Sequence, residues 1–236
     1  QDWPGVAALG LLFFGLFPVL FNASLIYTTA ARGALALSTL PLLTMLAAAV
    51  LRVEPPTLRR SFGVLLAMAG VAAALGTSLA AAPPGAWRGD LVMVAAAFCM
   101  ALYNVWSRPF VSRCGPIPFA AFGMGVGAAC LLAVSALTGG LAGLATLSAP
   151  QWFAGGYLAV VCGAFVFFLW AYALGRTAPT LVAVSVAINP MTAAVLGMFL
   201  LGEPMSANLV VGLLAVLSGI AVASGTSAWR EIRGPG

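Results

Sequence analysis

The sequence predicts an all-α membrane protein, a polytopic bundle of eight transmembrane helices. Three observations predict it: an apolar composition, charges confined to the gaps between apolar runs, and an internal repeat of inverted topology. Of 236 residues, 63% are hydrophobic and 6% charged, against about 25% charged in an ordinary soluble domain; the mean hydropathy is +1.11. A water-soluble globular domain is thereby excluded. So is an intrinsically disordered chain, which needs high charge and few apolar residues, and so is a disulfide scaffold, since there are only 4 Cys. The net charge of +5 comes from arginines scattered along the chain, so no nucleic-acid partner is expected.

A charge at mid-bilayer costs about 2.5–3.5 kcal/mol on insertion scales, so charges mark where the chain leaves the membrane. The uncharged runs are 3–31, 33–51, 61–87, 91–107, 114–175, 177–202 and 204–229. A spanning helix takes about 20 apolar residues. Six runs hold one span each, and the 62-residue run 114–175 holds two, divided at the Gly/Ser/Pro-rich stretch 138–151. The expected spans are 7–30, 33–51, 61–79, 90–108, 117–138, 152–174, 179–201 and 207–226. Continuous apolar runs argue against a transmembrane β-barrel, whose strands alternate. Neither Met nor a basic stretch precedes the first span, so it does not read as a secretory signal.

Arginines set the orientation. One set of alternate loops holds Arg52, Arg59, Arg60, Arg108, Arg113, Arg176, Arg230 and Arg233; the other holds Arg32 and Arg88. Eight against two puts the first set, and the C-terminus, in the cytoplasm. The expected location is a bacterial-type inner (plasma) membrane.

Sliding the sequence over itself by 149 residues brings Leu25 onto Leu174, Thr28 onto Thr177, Pro41 onto Pro190, Glu54-Pro55 onto Glu203-Pro204, Gly63 onto Gly212 and Gly70 onto Gly219. Paired Glu-Pro dipeptides are telling in a chain with only five acidic residues. The shift maps the first span onto the sixth, the second onto the seventh and the third onto the eighth. Five spans is an odd number, so the copies are inverted. Residues 1–79 then read as the last three helices of a first repeat, 80–89 as an external linker, 90–226 as a complete five-helix second repeat and 227–236 as a cytoplasmic tail. On this reading two helices precede Gln1 in a ten-helix parent; the alternative is a natural eight-span protein with a shorter first unit.

The ordered set Leu25-Ile26-Tyr27-Thr28, Pro41, Glu54, Gly63 and Gly70, then Tyr103 to Arg108, Tyr172-Ala173-Leu174, Asn189-Pro190, Gly202-Glu203-Pro204, Gly212 and Gly219 resembles the EamA-type permeases of the drug/metabolite transporter superfamily. The resemblance covers nearly the whole chain. It implies two inverted five-helix repeats around a substrate cavity partly lined by the family's first helix, which has no counterpart here.

Polar groups inside spans should face the bundle interior or a water-filled cavity. Pro41 and Pro190 sit mid-span as candidate hinges, each freeing a carbonyl four residues earlier, Leu37 and Val186. Near them Ser38, Thr39 and Thr44 in one copy, and Ser185, Asn189 and Thr192 in the other, are cavity candidates. The competing reading is a packing kink with the hydroxyls bonded back to their own helix. Asn189 stands out because an amide both donates and accepts. A second group comprises Asn22, Ser24, Tyr27 and Thr28 on the first span, Tyr103, Asn104, Trp106 and Ser107 on the fourth, and Trp170 and Tyr172 on the sixth. Trp106 and Tyr172 read equally as interfacial anchors.

Small-residue faces at Gly63, Ala67, Gly70 and Ala74, at Gly212, Ala215, Gly219 and Ala223, at Gly123 and Gly127, and at Gly155, Ala159 and Gly163 read as helix packing, with a homo-oligomer contact left open. Glu54 and Glu203 read as caps or gating contacts. With no His and no carboxylate expected inside a span, no catalytic residue, metal or other cofactor is expected. A proton-coupled mechanism also lacks a visible titratable group. The function expected is a secondary transporter, an exporter of small metabolites such as amino acids or drug-like compounds, working by alternating access; its partners are a small-molecule substrate and the lipid bilayer. The alternatives are a non-transporting membrane interaction protein and, more remotely, an integral-membrane enzyme.

Overall fold

The computed structural model describes residues 2–79, 84–189, 192 and 207–232. The elements are α1 (Trp3–Ser24), α2 (Ala30–Leu37), α3 (Leu40–Val50), α4 (Leu58–Leu79), α5 (Ala86–Cys114), α6 (Pro116–Leu137), α7 (Ala149–Leu174), α8 (Pro179–Ser185) and α9 (Ala207–Ile232). Among the described residues five helices are long and apolar enough to cross a membrane: α1, the pair α2 and α3 read together as Arg32–Val50, α5, α6 and α7. Helices α4 and α9 stand at the third and eighth expected spans, and α8 opens the seventh, whose remainder is outside the described residues. The chain is a polytopic helical membrane protein.

Two boundaries depart from expectation. Helix α1 ends at Ser24 rather than near residue 30, because Ile26 and Tyr27 donate three residues back, to Ala23 and Ser24, and the chain turns. Helix α5 runs 29 residues through Arg88, Asp90, Arg108 and Pro109. At 1.5 Å per residue it is about 43 Å long, more than a hydrocarbon core of about 30 Å, so its ends can carry charge. The carboxylate of Asp90 accordingly stands near the start of this long helix, four residues after Ala86.

The chain divides into two compact units. Unit 1 comprises residues 1–19 and 106–177. In it α1 meets α6 at backbone distance: a Cβ on Gly10 would stand 2.6 Å from the Gly123 carbonyl oxygen, and one on Gly127 would stand 2.3 Å from Phe14 Cβ. Phe13, Phe14 and Phe167 interlock beside this contact, with centroids 4.9–5.4 Å apart. The expected ridge of α7 does not pack so: a Cβ on Gly155 would meet nothing within 4 Å. Most α7 side chains are exposed, Phe153 at 80%, as suits a lipid-facing helix.

Unit 2 comprises residues 20–105 and 178–236. Its core is Val64, Ala67 and Val71 of α4 against Val184 and Ala187 beside α8, and Val216 and Ala223 of α9. Helices α4 and α9 touch backbone to backbone: a Cβ on Gly63 would stand 2.6 Å from the Gly219 oxygen, and one on Gly70 would stand 2.8 Å from the Gly212 oxygen. Small residues give helices in lipid such close approach.

Around Pro41 the helix is interrupted. The helix breaks at Ser38–Thr39, and Pro41 is buried in the first turn of α3, where its missing N–H removes no internal bond. Before the break the ladder tightens, with Ser38 donating to Leu35 at 3.1 Å and Thr39 to Ala36 at 3.2 Å. At the position 149 residues on, Ala187 donates to Val184, also at 3.1 Å. Pro190 and Glu203 lie outside the described residues. A π-helical stretch recurs similarly: Leu11–Leu16 in α1 and Leu158–Phe165 in α7 overlap under the same shift.

Candidate functional site

The site in unit 2 begins at the end of α1. Ser24 is fully buried and Thr28 is 6% exposed. Thr29 opens α2 as its N-cap and accepts from the Arg32 backbone N–H at 3.4 Å. That places Arg32 one turn into α2. Opposite, the start of α5 approaches through Gly89, where a Cβ would stand 2.6 Å from the Ser24 carbonyl oxygen and 2.8 Å from Thr28 Cβ. Only glycine allows this approach, and it sets Asp90 between two donors: Thr28 Oγ1 donates to Asp90 Oδ1 at 2.7 Å, and Arg32 Nη2 donates to Asp90 Oδ2. The ion pair is partly accessible, the two side chains being 25% and 24% exposed. Arg32 Nε is buried without a hydrogen-bond partner.

The pair stands on the wall of a cavity of about 510 Å³, lined by Arg32, Leu35, Ala36, Ser38 and Thr39 from α2 and the break, Met68, Ala69 and Ala72 from α4, and Asp90 from α5. Positions 32, 35, 36 and 39 follow one helical face, so the hydroxyl at Thr39 lies about 10 Å along the axis from Arg32. Ser38 Oγ donates to the Leu35 carbonyl at 2.6 Å and Thr39 Oγ1 to the Ala36 carbonyl at 2.7 Å. Their lone pairs stay available, and the wall between them and the ion pair is apolar. A net-neutral ion pair thus joins an apolar wall that ends in two hydroxyls.

Residues 1–76 and 87–225 match the EamA-like transporter family. The chain belongs to that family. It is 26% identical over 219 residues to an uncharacterized transporter, YyaM, of Bacillus subtilis, covering 92% of this chain and 72% of the relative. It is 28% identical over 218 residues to a protein of Streptantibioticus cattleyicolor named "probable terminal-alkyne amino-acid exporter", covering 92% and 71%. A solved crystal structure superposes with a TM-score of 0.75 at 24% identity, covering 95% of this chain and 76% of the other, which shows the fold. This EamA-like chain is a multi-pass membrane transporter.

Of the candidates read from sequence, Ser38 and Thr39 line the cavity. Tyr103 and Asn104 are 2% and 0% exposed, enclosed in unit 2 rather than on that wall. Asn22 is exposed on α1. Tyr27 is half exposed in the turn at 25–27 that follows α1, whereas Ser24 and Thr28 are buried. Ser185 is exposed and donates to the Val182 carbonyl at 2.7 Å, and Asn189 is exposed, so neither joins Ser38 and Thr39. Trp170 is half-buried in unit 1. Thr44 is fully buried, with Oγ1 unpartnered.

Sequence reasoning missed Arg32 and Asp90 as site residues because it used charges only to mark span ends. The signal was present: Arg32 and Asp90 carry opposite signs, each beside a long uncharged run, and Gly89 precedes Asp90.

A second polar cluster in unit 2 is built on Glu54. The α3 helix ends in a Schellman arrangement, with Arg52 donating to Ala49 at 3.1 Å and Val53 to Ala48 at 2.9 Å. Arg52 takes the left-handed position, φ 56°, usually filled by glycine. The reversal buries Glu54 to 7% exposure. Its Oε1 accepts from Arg60 and its Oε2 from Thr180 Oγ1 at 3.1 Å, at the start of α8.

Proposed function

We propose that this EamA-like protein is a secondary transporter that exports small metabolites such as amino acids or drug-like compounds by alternating access. The observation that carries the reading is the two-fold relation within unit 2: Gly63 and Gly70 face Gly219 and Gly212, their own repeat mates in crossed order. Inverted repeats provide two equivalent arrangements of one set of helices, which is what alternating access requires. The helix break before Pro41, with its tightened counterpart at Val184 and Ala187, supplies the discontinuous helix that commonly forms a substrate site.

The export direction and the amino-acid class draw support from the relative named as an amino-acid exporter. The repeat layout of 1–79 and 90–226, joined by an external linker, belongs to this proposal. So does an inner-membrane location with the C-terminus in the cytoplasm, which the arginine distribution favours. Ser38 and Thr39 are proposed cavity residues; Asn189, Ser185, Asn22, Tyr27, Tyr103 and Asn104 elsewhere in unit 2, and Trp170 in unit 1, are proposed as further substrate contacts, each within its own unit, and Pro41 and Pro190 are proposed hinges. The test is efflux from proteoliposomes loaded with a panel of amino acids, amines, organic acids and lipophilic cations. Efflux of one class above protein-free vesicles is expected, and it should weaken in Asn189→Ala. No efflux of any class, with Asn189→Ala indistinguishable from wild type, would overturn the proposal.

A further inference from the structure

The Arg32–Asp90 ion pair is net neutral and partly accessible, its side chains being 25% and 24% exposed. Arg32 uses one nitrogen, Nη2, on Asp90, while its buried Nε has no partner. Asp90 divides its two oxygens between Thr28 and Arg32. Neither member is saturated by the other: the guanidinium makes one of the two parallel bonds that a side-on carboxylate would make. An incoming carboxylate that takes Nε and Nη2 together adds a charged hydrogen bond. An incoming ammonium replaces on Asp90 Oδ2 the positive charge that swings away, while Thr28 keeps Oδ1.

We propose that the Arg32–Asp90 pair recognises the head group of a zwitterionic α-amino acid, Arg32 taking the carboxylate and Asp90 the ammonium; this rests on the transporter reading above. A zwitterion leaves both protein charges compensated. A monoanion or a monocation would strand one of them in a low-dielectric wall, which is costly. The side chain then lies along Leu35, Met68, Ala69 and Ala72, in a cavity of about 510 Å³. That wall carries no charge beyond the pair, so an aliphatic side chain fits it and an ionised one does not.

The experiment is equilibrium binding of radiolabelled leucine to the purified full chain in detergent, with isoamylamine, which lacks the carboxylate, and 4-methylpentanoate, which lacks the ammonium, as competitors. Wild type should bind each truncated compound roughly tenfold or more weakly than leucine. In Arg32→Gln the preference for leucine over isoamylamine should collapse while that over 4-methylpentanoate persists; Asp90→Asn should do the reverse. A purely structural ion pair would weaken all three ligands together, and that result, or unchanged selectivity in both variants, overturns the proposal. Should Asp90→Asn not fold, Arg32→Lys, which keeps the charge and loses the fork, must show the carboxylate effect alone. Leucine binding with these selectivities but no leucine flux in proteoliposomes would overturn the exporter reading and leave the recognition site standing. Leucine flux with wild-type selectivity in both variants would do the opposite.

Discussion

Gly63 and Gly219 occupy each other's space: a Cβ on either would stand 2.6 Å from the carbonyl oxygen of the other. Gly70 and Gly212 repeat the relation at 2.8 and 2.6 Å. Residue i meets j′ and j meets i′, the signature of a two-fold contact, here between two helices of one chain. The small faces of α4 and α9 are thus used within the chain.

Gly70→Val should lower stability by about 1–3 kcal/mol, the range for forcing extra methyl groups into a packed contact. Gly125→Ala on α6 is the control. A Cβ there meets nothing within 4 Å, and alanine improves helix propensity by up to about 1 kcal/mol. Thermal unfolding in detergent, followed by size-exclusion chromatography, should show a lowered midpoint for the first variant and an equal or raised one for the second.

Gly89→Ala should separate the start of α5 from the end of α1, since its Cβ would press on backbone, the Ser24 oxygen at 2.6 Å. Asp90 would then lose Thr28 before it loses the longer-reaching Arg32. The expected outcome is weaker substrate binding with the protein still folded, measured as leucine affinity beside the elution profile.

Thr180→Val removes a donor to a buried carboxylate. Hydrogen bonds to charged groups contribute about 1.5–3 kcal/mol, and Glu54 keeps Arg60, so the loss should fall at the lower end of that range. Thr180→Ser should restore it. Denaturant or thermal unfolding of the two variants checks this.

Arg52→Gly sets two effects against each other. A side chain in the left-handed region costs about 1–2 kcal/mol, while glycine raises the entropy of the unfolded chain by about 0.5–1 kcal/mol. The first is larger, so the variant should be as stable as wild type or more stable by up to about 1 kcal/mol. A lowered unfolding midpoint would contradict the assignment of the Schellman turn.

Much of this fold is legible in the sequence because the bilayer imposes simple rules. Charge positions bracket α1 and, with the Gly/Ser/Pro-rich stretch 138–151, locate α6 and α7, and a constant shift of 149 residues aligns the four glycines that meet in space in crossed order. The Ser38–Thr39 break is legible through Pro41, although its place two residues earlier is not, since that depends on how the preceding turn tightens. The site is less legible. Asp90 looks like a span boundary because scales treat a charge as a penalty, whereas a nearby arginine and a glycine-mediated approach make it tolerable inside α5. Asn189 has the chemistry of a ligand, and its exposure in unit 2 depends on packing that no local pattern encodes.

Counterflow reports whether this EamA-like protein is an alternating-access carrier. Proteoliposomes loaded with unlabelled leucine are diluted into trace radiolabelled leucine. An alternating-access carrier should accumulate label transiently above equilibrium, faster than in vesicles without internal leucine, and Arg32→Gln should lose that stimulation. Uptake that is indifferent to internal leucine, or absent in vesicles whose protein binds leucine, would contradict the carrier reading.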